Sequence, residues 1–329
     1  MTRRVSVEEY RAIDLCSGMG GIRLGVEQAG WQSVFSNDIE KLCKVVHDAN
    51  FHGPEFVVGD LHDIKGVNLP EAEMFCAGFP CQAFSVAGKQ GGLEDKGTGG
   101  NIFYELVRII GEMSRPPQAL FFENVKNLMG HDHGRTWRII SKALWDLGYS
   151  VEGQILNSCD FGVPQNRERI YIVGFRDEAQ MGAFCFPEPS SAPPTFRSIM
   201  EGAVDEKYYY SGKKYVRSDG TLLSKFLDGL MSQKFVPYQY RRHYVRSFKK
   251  GLCPTLTANM GGGGHNVPLV RDDHGIRKIT PRECARLQGF PDSFVLPEEL
   301  SQSRLYKMIG NSVTVGVIKR IALAIKAVF

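Results

Sequence analysis

The sequence lacks the features that mark secreted, membrane-spanning and zinc-bound proteins. Its eight cysteines show no paired CxxC spacing, so no metal site is predicted and reduced thiols fit a cytoplasmic protein. Residues 1–9 have no apolar core of the kind that a signal peptide carries. No apolar run approaches the ~18 residues of a membrane span. We therefore expect a cytoplasmic protein that does not associate with membranes.

The composition is typical of a globular protein with two domains. At 329 residues, with 43% hydrophobic and 23% charged side chains, the chain can bury a sizeable core. The net charge is only +4, but residues 195–280 hold 15 Lys and Arg against seven Asp and Glu. Within them, residues 234–250, the basic segment, carry six bases, no acid and interleaved aromatic side chains. A solvated basic face is one interpretation, but this mixture favours a surface that follows phosphates.

A glycine-rich turn follows the first predicted strand. Residues 10–15 predict a strand, and residues 16–21 (CSGMGG) predict a turn before a helix. Such a turn lets a nucleotide cofactor approach the backbone, although nicotinamide enzymes share it and the third glycine of GxGxxG is missing. Three successive predicted strands carry Asp14, Asp38 and Asp60 near their ends. This arrangement favours an adenosine pocket over accidental solvated acids.

Cys81 follows a buried strand directly. The apolar residues 74–77 predict that strand, and Gly78 and Pro80 end it. Cys81 is thereby placed on a loop at a strand end, where α/β folds collect their chemistry. Without partners, a lone cysteine of this kind is more often a small buried hydrophobe than a nucleophile. The glycine-rich residues 91–100 predict either a lid or a plain linker.

A carboxylate and two arginines are the candidate partners of Cys81. Glu123 directly follows four apolar residues, so burial should raise its pKa and suit it to proton donation, although it could instead cap the next segment. If a strand begins before Ile170, its period of two places Arg167 and Arg169 on one face with Glu168 opposite. Two such guanidiniums suit a phosphate, a carboxylate or a base edge, or else a structural ion-pair cluster.

The order of six motifs resembles the DNA cytosine carbon-5 methyltransferases from end to end. The motifs are DLCSGMGG at 14–21, GFPCQ at 78–82, ENV at 123–125, QNRER at 165–169, PRECARLQGFP at 281–291 and GNSV at 310–313. The resemblance implies that the Cys81 thiolate adds to carbon 6 of cytosine and that Glu123 protonates or hydrogen-bonds ring nitrogen 3. It also implies that Arg169 holds the exocyclic oxygen, that Arg167 supports the pocket and a phosphate, and that the Phe79 carbonyl reads the exocyclic amine.

The resemblance further implies S-adenosylmethionine as the cofactor. Asp38 would bind the ribose hydroxyls and Asp60 the adenine amine. One departure is Cys16, which stands where the family often has Phe, so Ile39 is the remaining candidate to stack on adenine. The full set of cofactor candidates is Asp14, Cys16, Gly18, Gly20, Gly21, Asp38, Ile39, Asp60, Pro80, Ile102, Asn311, Ser312 and Val313.

The implied substrate is a cytosine flipped out of double-stranded DNA. Residues 253–264 resemble the Thr-Leu and glycine loops of family recognition domains, although four successive glycines could also be a hairpin tip. The DNA-contact candidates are Ser85, Arg241, Arg242, Arg246, Thr255 and Gly262. Family habit adds a cognate restriction endonuclease as a partner, and we expect a bacterial, nucleoid-associated substrate and a monomer.

The predicted fold is a doubly wound, Rossmann-like S-adenosylmethionine-dependent methyltransferase domain in the α/β class, with a smaller β-rich target-recognition domain. The expected divisions are 1–185, 186–300 and a C-terminal helix in 301–329 that returns to the first domain. Three alternatives stay open. They are a tRNA cytosine carbon-5 methyltransferase, a nicotinamide dehydrogenase, and a DNA-binding module without catalysis.

Overall fold

The computed structural model describes residues 10–54, 56–79, 102–189, 194–211, 217, 220–241, 244–248, 250–262 and 266–329. The chain divides into two compact units. Unit 1 comprises Met1–Leu156, Arg169–Glu188 and Val317–Phe329, and unit 2 comprises Asn157–Glu168 and Pro189–Gly316. The short stretch 157–168 therefore groups with the later part of the chain, and the return to unit 1 begins at Val317. The functional division expected near residues 185 and 300 stays a prediction.

Thirteen strands are formed by the described residues. They are β1 (Arg11–Leu15), β2 (Gln32–Asp38), β3 (Phe56–Val58), β4 (Met74–Gly78), β5 (Ala119–Val125), β6 (Ser150–Asn157), β7 (Gln165–Asn166), β8 (Glu168–Phe175), β9 (Tyr238–Arg241), β10 (Tyr244–Ser247), β11 (Cys253–Pro254), β12 (Leu269–Arg271) and β13 (Ile276–Lys278). The α-helices of the described residues are α1 (Gly21–Gln28), α2 (Lys41–Asn50), α3 (Ile102–Glu112), α4 (Asn127–Gly130), α5 (Arg135–Asp146), α6 (Glu178–Ala183), α7 (Leu223–Leu230), α8 (Pro281–Leu287), α9 (Gln302–Asn311) and α10 (Val315–Lys326).

Unit 1 is built on a seven-stranded sheet in the order β3-β2-β1-β4-β5-β8-β6. Strands β3, β2, β1, β4 and β5 run parallel, and β8 is antiparallel to β5. The central strands are continuous apolar runs because helices cover both faces of a parallel sheet. Met74, Phe75, Cys76 and Ala77 of β4 are accordingly all fully buried. The predicted doubly wound α/β class is confirmed.

Unit 2 holds a smaller antiparallel sheet in the order β10-β9-β12-β13, and β11 pairs in parallel with β7. Its own apolar cluster includes Tyr210, Leu227, Tyr238 and Leu269. Helix α8 begins with a capping box, in which Thr280 accepts from the Glu283 backbone and Glu283 accepts from the Thr280 backbone.

The structure defines the ends of two elements. Strand β5 continues to Val125 through its pairing with β8, so Glu123 lies inside the strand and does not cap the next segment. The single C-terminal helix expected within 301–329 is two helices, α9 and α10, separated by residues 312–314. Ser312 leaves the helical conformation because its backbone is extended, with φ of −69° and ψ of 170°.

Among the described residues, one segment, Gln302–Lys326, is long and apolar enough to cross a membrane by length and composition alone. It contains both α9 and α10 rather than one continuous helix. Its most apolar window is 61% buried inside the protein, as in the core helices of many proteins that never enter a membrane.

Candidate active site

Glu123 and Arg169 form an ion pair at the carboxyl end of the parallel strands in unit 1. Arg169 Nε lies 3.1 Å from Glu123 Oε1, and the two side chains are only 15% and 10% exposed. The sheet register explains their meeting, because Glu123 pairs with Tyr171 and Val125 pairs with Arg169 across β5 and β8. A buried carboxylate and a half-buried guanidinium near a strand end form a charged site that can bind a polar ring.

The same carboxylate lies beside the last residue of β4. Gly78 pairs with Glu123 in the parallel register, and a Cβ built on Gly78 would be 3.9 Å from Glu123 Oε2. The next residue, Phe79, has a carbonyl that accepts a 3.0 Å hydrogen bond from Asn124 Nδ2. The ENV motif therefore holds the strand end from which the residues leading to Cys81 depart. Pro80, Cys81 and Ser85 themselves lie outside the described residues.

Arg167 has surroundings quite different from those of Arg169. It precedes β8 and belongs to unit 2, where its guanidinium is buried and donates to backbone carbonyls. Its Nη1 lies 2.8 Å from Leu256 O and its Nη2 2.5 Å from Ser312 O. The predicted strand face shared by the two arginines is therefore not formed. The phosphate contact predicted for Arg167 stays a prediction.

The glycine turn after β1 requires backbone conformations that favour glycine. Cys16, Gly18 and Gly20 have φ of 53°, 55° and 86°. A Cβ at Gly20 would come within 2.4 Å of the Phe51 ring. The turn is thus packed tightly against the end of α2, and Gly20 is needed for both its conformation and its size.

Asp38 closes the turn from the end of β2. Its Oδ2 accepts from the Gly18 backbone N at 2.8 Å, and its Oδ1 accepts from the Glu40 backbone N at 2.9 Å. Burial raises the pKa of Asp38, although these hydrogen bonds oppose the shift. Ile39 follows directly and is 66% exposed. Because β1 and β2 are parallel, half-buried Cys16 and exposed Ile39 lie at the same edge of the sheet.

Asp60 lies beyond β3 at that edge of the sheet. Its Oδ1 accepts from the His62 backbone N at 3.0 Å and lies 2.6 Å from His62 Nδ1, contacts that lower the pKa of Asp60. Its side chain remains 41% exposed. Asp14, in contrast, is 1% exposed inside β1 and is bonded to Ser17. The structure therefore brings Asp38 and Asp60 to one open edge and buries Asp14 beneath the turn.

The other cofactor candidates differ in how far they are exposed. Ile102 begins α3 and is half-buried. In unit 2, the Ser312 carbonyl accepts from Arg167 and from Gln288 Nε2 at 3.2 Å, while the Asn311 side chain is exposed. Val313 is buried. Their predicted contact with the cofactor stays a prediction.

The DNA-contact candidates that the structure describes lie in unit 2. Arg241 ends β9 and Arg246 lies on β10, and both side chains are exposed. The Thr255 hydroxyl donates to Asn166 O at 2.8 Å. Gly262 ends a short 3-10 helix over Ala258–Gly262, whereas the hairpin alternative predicts a turn between two strands at this position. No atom lies within 4 Å of a Cβ built on Gly262. Arg242 lies outside the described residues.

Sequence reasoning missed the contact between Ser17 and His47. Ser17 Oγ lies 3.1 Å from His47 Nε2, and both side chains are buried. Ser17 lies inside the first motif, whose glycines alone predict the nucleotide-binding turn. His47 carries no local signal, because a single histidine on a helix is most often a packed core residue.

The family of the chain follows from a match to a protein-family model. The family described as C-5 cytosine-specific DNA methylase matches residues 10–327. The chain belongs to this family. It is 45% identical over 94% of its length to the type II methyltransferase M.Bsp6I of Bacillus sp. strain RFL6, of which the match covers 96%. It is 42% identical over 94% of its length to the type II methyltransferase M.NgoBI of Neisseria gonorrhoeae, with 91% of that relative covered.

Solved structures agree on the fold of this methylase. DNMT2 of Spodoptera frugiperda superposes on this chain with a TM-score of 0.75 at 18% identity. The superposition covers 97% of this chain and 100% of the DNMT2 chain. DNMT2 of S. pombe gives a TM-score of 0.70 at 17% identity, covering 97% and 99%. At such identities the likeness concerns the fold alone. The predicted Rossmann-like methyltransferase fold is confirmed, and so is the prediction of a DNA cytosine carbon-5 methyltransferase, in preference to a tRNA enzyme.

Proposed function

We propose that this methylase transfers a methyl group from S-adenosylmethionine to carbon 5 of one cytosine in a specific duplex DNA sequence. The observation that carries the proposal is the Glu123–Arg169 ion pair beside Gly78, the last residue of β4 and the first of the GFPCQ motif. It supplies a buried acid and a half-buried cation next to the segment that contains the predicted nucleophile.

The proposed reaction begins when the Cys81 thiolate adds to carbon 6 of the flipped cytosine, forming a carbon–sulfur bond. Glu123 donates a hydrogen bond or a proton at ring nitrogen 3, and Arg169 holds the exocyclic oxygen. Both contacts stabilise the electrons that move into the ring, and carbon 5 becomes nucleophilic. After carbon 5 has accepted the methyl group, with S-adenosylhomocysteine as the leaving group, loss of the carbon 5 proton to a base restores the ring and expels Cys81 as thiolate. Any proton received at ring nitrogen 3 returns to Glu123.

S-adenosylmethionine, when bound, supplies a methyl group on a cationic sulfur. The residues present fit it, because the open sheet edge carries two carboxylates and an exposed apolar side chain. Asp38 would accept from the ribose hydroxyls, Asp60 from the adenine amine, and Ile39 would pack on the ring. Cys16 stands where the family often has Phe, so Ile39 carries the stacking alone. Gly18 and Gly20 keep the backbone of the turn accessible.

The basic segment of unit 2 would grip DNA phosphates through Arg241 and Arg246. A base inside a duplex must be flipped out before Cys81 can reach it, at a cost of a few kcal/mol, which phosphate contacts offset. The relatives named as type II methyltransferases support sequence-specific modification. They also support a cognate restriction endonuclease as a partner in the cell. We propose that the methylase acts as a monomer in the cytoplasm.

The test is methyl transfer from labelled S-adenosylmethionine to duplex DNA and to tRNA. We expect label in duplex DNA, followed by bisulfite sequencing of plasmid DNA to identify the modified cytosine. Label that appeared only in tRNA would contradict the proposal.

Replacement of the nucleophile gives a sharper test. Cys81→Ser should abolish methylation because a serine hydroxyl is a far weaker nucleophile than a thiolate, while DNA binding stays measurable by gel shift. Cys185→Ser is the matched control, since Cys185 is exposed on the surface. A Cys81→Ser variant with undiminished turnover would remove Cys81 from the mechanism.

A further inference from the structure

Ser17 connects two titratable side chains beneath the glycine turn. Its hydroxyl lies 2.7 Å from Asp14 Oδ2 in β1 and 3.1 Å from His47 Nε2 in α2. All three residues are buried, with Ser17 7%, Asp14 1% and His47 2% exposed. We name this arrangement the Asp14–Ser17–His47 chain. It lies under the backbone proposed to receive the cofactor and has no part in the steps proposed for Cys81, Glu123 and Arg169.

The chain has two possible arrangements of its protons. A serine hydroxyl carries one proton. When Asp14 is ionised, Ser17 must donate to Asp14, so His47 Nε2–H donates to Ser17 Oγ. When Asp14 is protonated, its own O–H donates to Ser17, whose proton turns to His47 Nε2. The direction of both hydrogen bonds therefore reverses with the ionisation of Asp14, and the neutral imidazole changes its tautomer.

The surroundings place that reversal near neutral pH. Burial raises the pKa of Asp14 to about 7, against the opposing hydrogen bond from Ser17 and the charge of Arg23. Burial lowers the pKa of His47 to about 3, helped by Arg23 and Lys44. The imidazole is therefore neutral throughout the range in which Asp14 titrates. Its Nδ1 has no hydrogen-bond partner among the described residues, so no second contact fixes the tautomer.

The other ionisable groups around Asp14 come from the neighbouring strands. Asp38 at the end of β2 raises the pKa of Asp14 by its charge. Cys76 pairs with Asp14 across β4, and burial keeps this thiol neutral by raising its pKa well above the ordinary value. Cys16 directly follows β1, and its half-buried thiol is likewise neutral because burial raises its pKa. Asp14 is thus the member of the Asp14–Ser17–His47 chain that changes charge near pH 7.

We propose that the Asp14–Ser17–His47 chain is a proton-coupled positioning device for the glycine turn, which binds its cofactor more tightly when Asp14 is ionised. The inference rests on the proposed role of the turn in binding S-adenosylmethionine. Hydrogen bonds to an ionised carboxylate are roughly twice as strong as neutral ones, so the ionised chain holds Ser17 and the adjoining turn more firmly. A turn that is already ordered costs less to bind. Cofactor affinity therefore rises with pH through the titration of Asp14.

The first test needs no cofactor. Nitrogen-15 NMR of His47 in the free methylase, from about pH 6 to about pH 8, should show the imidazole changing from the Nδ1–H to the Nε2–H tautomer with a midpoint near the Asp14 pKa of about 7. Asp14→Asn should hold one tautomer at every pH, because an amide does not ionise. A single unchanging tautomer in the unmodified protein would overturn the proposal.

The second test measures affinity for S-adenosylhomocysteine by calorimetry at the two ends of that pH range. We expect severalfold tighter binding at the higher pH for the unmodified protein. Ser17→Ala should bind more weakly and with no pH dependence. His47→Phe should show a smaller pH dependence, because it removes the acceptor of the Ser17 proton but leaves the bond between Ser17 and Asp14. It keeps an aromatic ring beside Phe51 and Phe56, whose centroids lie 4.8 and 4.2 Å from the His47 ring. Melting temperatures check that each variant is folded.

Ser141→Ala is the matched control, because the Ser141 hydroxyl donates only to a carbonyl within α5, and it should keep the full pH dependence. Failure of the unmodified methylase to bind S-adenosylhomocysteine at either pH would contradict the proposed function itself. Equal binding at both pH values, with Ser17→Ala unchanged from the unmodified protein, would contradict the positioning device alone.

Discussion

At the scale of single residues, Glu123 is the side chain whose environment most constrains its role. It is 8% exposed, lies inside a strand and faces the Arg169 guanidinium. A carboxylate in such a place costs free energy unless it is paired, so the ion pair with Arg169 is what allows it to remain beside Gly78.

Glu123→Gln should slow the chemical step about 100-fold or more, because the amide keeps the shape but cannot donate a proton to ring nitrogen 3. DNA and cofactor affinities should change far less. Single-turnover methylation with enzyme in excess measures the chemical step directly. Glu152→Gln, an exposed substitution in β6, serves as the control. An unchanged single-turnover rate for Glu123→Gln would show that this carboxylate has no part in the reaction.

At the scale of elements, the glycine turn and α8 are both held in part by residues distant in the sequence. The turn is packed against Phe51 at the end of α2. Helix α8 is anchored through Glu283, which caps the helix and also binds Arg277 of β13. Each element is thus held by contacts that its own sequence does not supply.

Gly20→Ala should weaken S-adenosylhomocysteine binding by at least about tenfold, because a left-handed residue with a side chain costs about 1–2 kcal/mol even before the contact with Phe51 is relieved. Calorimetric titration gives the dissociation constant. Gly182→Ala in α6 is the control, since no atom lies within 4 Å of its Cβ and alanine favours a helix. Equal affinities for both variants would argue against the turn as the cofactor site.

Arg277→Met should lower the free energy of unfolding of unit 2 by about 3–5 kcal/mol, because it leaves buried carboxylates without their cation. Arg277 is fully buried, and its nitrogens lie 2.7 Å from both Glu283 oxygens and 2.6 Å from Asp272 Oδ2. Urea denaturation followed in both units measures the change. Arg286→Met is the control, because its partner Asp292 is 67% exposed and such a pair contributes at most about 1 kcal/mol. Equal losses from the two variants would contradict the assignment.

At the scale of the whole molecule, DNA affinity should depend on where the charge lies rather than on its total. The net charge is +4, yet the basic segment contains no acid. Counterions released from each phosphate contact make affinity fall with salt, so the slope counts the contacts.

Arg241→Ala and Arg246→Ala should each reduce the slope of the logarithm of the binding constant against the logarithm of salt concentration by about 1. Fluorescence anisotropy with duplex DNA over a series of salt concentrations measures it. Lys142→Ala, which removes a cation already paired with Asp146 in unit 1, should leave the slope unchanged. Slopes that did not change in the arginine variants would place the phosphate contacts elsewhere.

The sequence by itself determined the family, the sheet-forming runs and the order of the motifs, because each of these depends on residues close together in the chain. Buried strands such as β4 are continuous apolar runs, and the capped start of α8 is written in the four residues 280–283. Such local signals survive without knowledge of the partners.

Only the tertiary structure decided which side chains meet. Glu123 became part of a strand because β8 pairs with it, and Arg167 found carbonyls that lie 89 and 145 residues further along the chain. Ser17 and His47 meet across 30 residues because α2 packs its buried face against the turn. These contacts depend on how separate elements pack to bury apolar area and to satisfy polar groups. No local sequence pattern reveals them, because the two partners of each contact lie far apart in the chain.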